Sequence, residues 1–148
     1  VMGLFDNIFG GHTPNKQFGK GESFAAILLG AVASDGHIAD EEVRGLVTIM
    51  ARMKMYENWT DEKFNSMLNR ILGMIKREGV DKVIERASEG LPEALRETAF
   101  ANACDLVLAD GVVEDEEKEF LDKLQKRLEI TGDTALDIVQ VMIIKNRG

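Results

Sequence analysis

Residues 34–42 read SDGHIADEE, and residues 109–117 read ADGVVEDEE. A shift of 75 residues lays Asp35-Gly36 on Asp110-Gly111 and Asp40-Glu41-Glu42 on Asp115-Glu116-Glu117. The match continues downstream, where Leu46 meets Leu121 and Arg52 meets Arg127, while Ile38/Val113, Ile49/Leu124, Met53/Leu128 and Met55/Ile130 stay apolar. Each copy reads as the end of one helix, an Asp-Gly turn and the acidic start of the next helix, where negative charge is favoured by the helix dipole. A helix pair repeated along one chain predicts two related units, about 24–56 and 99–130, packed around an approximate twofold axis so that each covers the other's apolar stripe.

Outward from the repeat, the spacing of apolar residues is helical throughout. FAAILLGAVA (24–33) is too short for a bilayer, which takes about 20 residues, and predicts a core helix with Ser23 positioned to cap it. A second helix is expected from about Asp40 to Met55 on the stripe Val43, Leu46, Val47 and Met50. A third, opened by Thr60 or Asp61, runs to about Arg77 and carries Phe64, Met67, Leu68, Ile71, Leu72 and Ile75. After Gly79 a shorter piece through Val83 and Ile84 ends at Gly90, and Pro92 suits the first turn of a helix that continues to about Ala109. Two more are expected, from about Asp115 to Leu128 and from Thr131–Asp133 to near Lys145. No segment alternates with a period of two, so the prediction is a single all-α domain of about seven helices over 23–148. Before it, Leu4, Phe5, Ile8 and Phe9 share one face of a short amphipathic leader, and a Gly/Pro-rich arm completes residues 1–22.

The charge balance narrows the function classes. Among 148 residues, 26 Asp+Glu outweigh 18 Lys+Arg, for a net charge of −8. Such a surface repels phosphate backbones, and the basic residues form no stripe, so no nucleic-acid partner is expected. The single Cys104 excludes an intramolecular disulfide and, with two separated histidines, leaves no zinc-ligand set. The N-terminal stretch has no positive charge before Lys16 and no cleavage-site pattern, so a cytoplasmic protein is expected, with peripheral membrane contact open to the leader.

The paired motifs SDGHIADEE and ADGVVEDEE, together with VASDG and the GLFDNIFG leader, resemble the TerB-like tellurite-resistance family of bacterial helical proteins. The resemblance covers about residues 24–130, the middle helices matching only in kind. It implies an all-helical fold of two related halves, a place in a tellurite and stress response with protein partners, a metal-binding acidic surface and no known catalytic activity. Where the family often has Ser before the acidic helix, this chain has Ala39 and Glu114, leaving Asp40 and Asp115 as the available caps.

The acidic motifs also carry chemistry on their own spacing. Asp35-Gly36-His37-Ile38 with Glu42 follows the second half of a calcium-binding EF-hand loop, but the first-half ligand positions hold Ala31 and Ala33, and in the second unit Leu106 and Leu108. Neither unit is a complete loop. The expectation is that Asp35 and Glu42 combine with Asp110 and Glu117, assisted by Glu41 and Glu116, to hold a hard divalent cation such as calcium, magnesium or manganese. Helix-end electrostatics explain the same glutamates without a metal, at roughly 0.3–1 kcal/mol each. The aspartates are less easily explained this way, because negative charge at a helix C-terminus opposes the dipole. Glu114, Glu119, Asp40 and Asp115 add to the charge of these two windows, which a cation would relieve.

Other features point to structure more than to chemistry. His37 has Val112 as its counterpart and is read as a loop residue; Cys104, within AFANACDLVLA, is read as core. Met50, Met53 and Met55 with Tyr56 and Trp59 are read as core or as one partner groove. Gly19-Lys20-Gly21 fails as a phosphate loop, since Pro14 and Gly21 stand where Gly and Ser/Thr are required. No nucleophile, base and orienting acid occur at recognisable spacing, so no catalytic residues are assigned. The sequence therefore predicts a non-enzymatic cation-binding module, with a metal-independent protein or membrane-surface interaction module as the alternative.

Overall fold

A helix that is apolar on all sides must be surrounded. Here it is the first helix, α1 (Lys20–Ala33), in which every residue from Ser23 to Ala33 is buried. The computed structural model describes residues 18–109 and 111–148. After α1 come α2 (Asp40–Ala51), α3 (Asp61–Glu78), α4 (Val80–Gly90), α5 (Arg96–Leu108), α6 (Asp115–Arg127) and α7 (Gly132–Lys145). Among the described residues there is no strand, and the expected all-α fold of seven helices is the one observed. Around α1 pack α4 and α5 most extensively, then α3 and α2. At Gly30 the approach is closest: a Cβ there would lie 2.7 Å from Ile84 Cδ1 of α4 and 3.1 Å from Phe120 Cε1 of α6.

The first turn of α1 begins three residues before the expected Ser23 cap. Glu22 accepts the Gly19 N–H at 3.2 Å and forms an ion pair with Arg70 of α3, so the helix start is capped from within its own first turn. Ser23 instead lies inside the helix, its N–H donating to Gly19 O at 2.9 Å and its side chain buried against Gly90.

Two other element boundaries differ from expectation, and both differences serve the core. α2 stops at Ala51, short of Met55, and a 3-10 turn over Lys54–Tyr56 swings Tyr56 inward. Its hydroxyl donates to Gly21 O at 2.6 Å, and its ring meets Trp59 and Phe64 edge-on with centroids 5.3 and 5.4 Å away. Pro92 does not open α5 directly. Buried Leu91 leaves the chain extended at Pro92, ψ 144°, and a 3-10 turn over Glu93–Leu95 intervenes before Arg96. Elsewhere the expected signals operate: Thr60 accepts from Lys63 N–H at 3.1 Å, and Thr131 from Thr134 N–H at 3.3 Å.

The repeat is visible in local geometry. α1 and α5 end at Ala33 and Leu108, α2 and α6 begin at Asp40 and Asp115, and the turn glycines Gly36 and Gly111 have φ of 85° and 79°. That left-handed conformation is what glycine allows and other L-residues resist. The surroundings are unequal, however. α1 is enclosed, whereas α5, packed on α1, α7, α6 and α2, buries only one face through Ala99, Phe100, Ala103, Cys104 and Val107.

The α4–α1 contact gives a test with an unusual sign. A Cβ on Gly90 would lie 2.4 Å from Phe18 O and 2.5 Å from Ser23 Oγ. In an open helix Gly→Ala stabilises by about 1 kcal/mol, but overpacking costs about 1–3 kcal/mol. Urea unfolding of Gly90→Ala is expected to show a net loss of stability, and a gain would show that this junction is loose.

Candidate functional site

The C-terminal ends of α1 and α5 lie together, and the turns that leave them send α2 and α6 back with their acidic first turns near the same junction. A cavity of about 160 Å³ opens there. Its walls are Ala31 and Val32 of α1, Gly45 of α2, and Leu106 and Ala109 at the end of α5; Glu41, Glu42 and Glu117 supply its polar lining. The small side chains leave the space, and the volume decides what fits. Organic ligands occupy pockets of roughly 300–1,000 Å³, whereas a water takes about 30 Å³, so this cavity suits a small ion with several waters.

Glu42 and Glu117 hold equivalent places in the repeat, the third residue of α2 and of α6. They come from helices 75 residues apart, yet they line one cavity. No basic side chain is among the described residues lining it. Glu41 and Glu42 are exposed and Glu117 is half-buried, so these carboxylates border the cavity from its solvent side and favour the approach of positive charge. One oxygen of Glu117 also serves the fold, accepting the Glu114 N–H at 2.9 Å, so Glu114, and not Asp115, occupies the cap position of α6. Ala39 holds the corresponding position at α2, with Asp40 the first helical residue.

The other expected ligands fare differently. Asp35 lies outside the cavity lining, and its Oδ1 accepts the His37 N–H at 2.9 Å within its own turn. This is an Asx turn, which supplies a structural reason for an aspartate at that place. Glu116 is exposed and does not line the cavity either. Asp110 lies outside the described residues, as do the leader residues Leu4, Phe5, Ile8 and Phe9. Among the described residues no group of three or more His, Cys, Asp or Glu side chains converges as a metal-binding set. Lining one cavity and converging on one point are thus separate facts, and the first holds for Glu41, Glu42 and Glu117.

The methionine-rich segment does not form one groove. Met50 and Tyr56 are buried in the core. Met53 lines a cavity of about 430 Å³ with Arg52, Asp105, Met142 and Lys145, between α2, α5 and α7. Trp59 lines another, of about 450 Å³, with Lys20, Glu22, Lys63, Met67 and Arg70. That second cavity escaped the sequence reading. Its only signal was Gly21, where a Cβ would meet Trp59 Cζ2 at 2.9 Å, and a helical glycine does not name its neighbour. Lys63 Nζ stands 4.0 Å from the Trp59 ring centroid and Arg70 is paired with Glu22, so these cations already have partners. No helix among the described residues is long and apolar enough to cross a membrane.

Comparison of the chain with protein-family models, with curated proteins and with solved structures finds no match.

Cys104 is fully buried in α5. Burial first, and the neighbouring Asp105 charge second, push its thiol from 9.0 up to about 12. The folded state therefore holds this proton over a range in which the unfolded chain releases it, and the stability contributed by the neutral thiol falls as pH rises from about 9 towards about 12. A chromogenic disulfide reagent at neutral pH should react with Cys104 only on unfolding. Fast labelling of the native protein would contradict this burial.

Proposed function

We propose that this chain is a non-enzymatic, cation-responsive helical module whose cation site lies between the two Asp-Gly units. The observation that carries the proposal is that Glu42 and Glu117, equivalent residues of the two repeats, line one small cavity with Glu41 beside them. The donors are all carboxylates, which suits hard cations. A cavity with two or three carboxylates and room for water fits magnesium or manganese, which retain part of their hydration shell, and fits calcium where further oxygens are supplied. Glu42 and Glu117 would hold the ion through their carboxylate oxygens. Because the two glutamates start different helices, binding would stabilise the packing of one unit on the other.

The setting rests on the resemblance to TerB-like proteins: a bacterial tellurite or stress response in the cytoplasm, acting through protein partners. A surface of net charge −8 repels oxyanions, so the part played in resistance is regulatory and not direct capture of tellurite. A second reading, a metal-independent interaction module, is favoured by the exposed apolar side chains of α7.

Calorimetric titration of chelator-stripped protein with magnesium, manganese and calcium tests the first reading. Saturable heat is expected, with a rise in melting temperature equivalent to about 2.7 kcal/mol at a hundredfold excess over Kd. Glu42→Gln/Glu117→Gln should abolish both, while Glu116→Gln, which alters a similar helix-end charge outside the cavity, should leave them unchanged. No heat from any cation with a folded protein, or equal loss in the Glu116 variant, would defeat the assignment.

A further inference from the structure

The cavity at the N-terminal end of α1 has no part in the cation proposal. It opens beside Gly21, about 15 Å along the helix from Ala31 and the acidic cavity. Its volume of about 450 Å³ lies in the range that holds small organic ligands, roughly 300–1,000 Å³. Buried Met67 and half-buried Trp59 supply an apolar wall. Trp59 is held in place from two sides. Gly21 leaves the space for its ring, which a Cβ there would approach to 2.9 Å, and Tyr56 meets it edge-on. The wall is therefore formed before a ligand arrives, which limits the ordering cost of binding.

Charge is the second feature. In a chain of net charge −8, the described residues lining this cavity include Lys20, Lys63 and Arg70 against one acid, Glu22. Both oxygens of Glu22 are engaged, one by the Gly19 N–H and the other by Arg70. Lys63 has the Trp59 ring as its partner, and a ring orients a cation without neutralising it. Neither Lys20 nor Lys63 forms an ion pair with a described residue. Two uncompensated positive charges thus stand at the rim of an apolar cavity. The negative charge of the whole chain is screened beyond about 8 Å at physiological ionic strength, so the local cations decide what is held.

We infer that this cavity binds a small organic phosphate monoester, its head between Lys20 and Lys63 and its apolar body against Trp59 and Met67. A monoester carries about two negative charges at neutral pH and so matches both lysines, whereas a carboxylate matches one. Arg70 uses one of its N–H donors on Glu22 and has others left for the same head. Inorganic phosphate would leave the apolar wall uncovered, and an uncharged ring would leave the lysines unmatched.

Trp59 is the only tryptophan of the chain, so its emission reads occupancy of this cavity directly. Titration of the full chain with phenyl phosphate, with excitation where the phenyl ring does not absorb, should give a saturable change, and calorimetry should return the same Kd. Inorganic phosphate and benzyl alcohol, which carry the head or the ring alone, should each bind at least about tenfold more weakly. Lys20→Gln and Lys63→Gln each remove one charged contact and should weaken phenyl phosphate about tenfold. Lys76→Gln makes the same change of charge on α3 outside the cavity and should leave the Kd unchanged. All three lysines are exposed, and melting temperature verifies folding. The inference is overturned if phenyl phosphate gives no saturable response, or if inorganic phosphate or benzyl alcohol binds as tightly. Equal loss in the Lys76 variant, or none in the Lys20 and Lys63 variants, overturns it as well.

Discussion

Enclosure of α1 is the constraint on which the rest of the molecule depends. Phe24, Ile27, Leu28 and Leu29 are wholly removed from water, and each such side chain stabilises by roughly 1.5–3 kcal/mol. A single neighbour cannot cover a helix buried on all sides, so α4, α5, α3 and α2 are recruited around it, with Gly30 allowing Ile84 and Phe120 to close in. Its start is pinned by Tyr56 on Gly21 O and by Glu22 on Arg70; its end delivers the chain into the Asp35-Gly36 turn. The location of the candidate site is a consequence of where α1 stops.

The repeated units share their local conformation but not their environment. Gly36 and Gly111 adopt nearly the same positive φ, and the helices on either side of each turn end and begin at equivalent residues. Yet α1 is buried on every side and α5 on one face only, so the junction between units is a place where two similar ends meet under different packing. Small residues at that junction, Ala31, Gly45 and Ala109, keep it open, and glutamates from both units face the space. Under the proposed reading, positive charge bound in this cavity would be coupled to the packing of one unit on the other.

α7 is the counterpart of α1 in the opposite sense. Both are rich in aliphatic side chains, but α1 is surrounded whereas α7 contacts α5 through one side and leaves Leu136, Val141, Ile143 and Ile144 in water.

The sequence by itself determined the helical class, the seven helices, the Asp-Gly turns and the equivalence of Glu42 with Glu117, because each of these depends on local periodicity, turn chemistry and repetition along the chain. It also marked Thr60 and Thr131 as helix starts. Tertiary structure decided the rest. Which acids face one another depends on the rotation of α2 and α6 about their axes, and that is set by packing on α1 and α5; hence Glu41, Glu42 and Glu117 share a cavity while Glu116 does not. Asp35 was legible as an acid beside a turn glycine, but not as the acceptor for His37 N–H. The methionine segment was legible as apolar, while its division between the core and two separate cavities follows from the 3-10 turn that draws Tyr56 to Gly21. Such partners are distant along the chain, and periodicity along one helix carries no information about the azimuth of another.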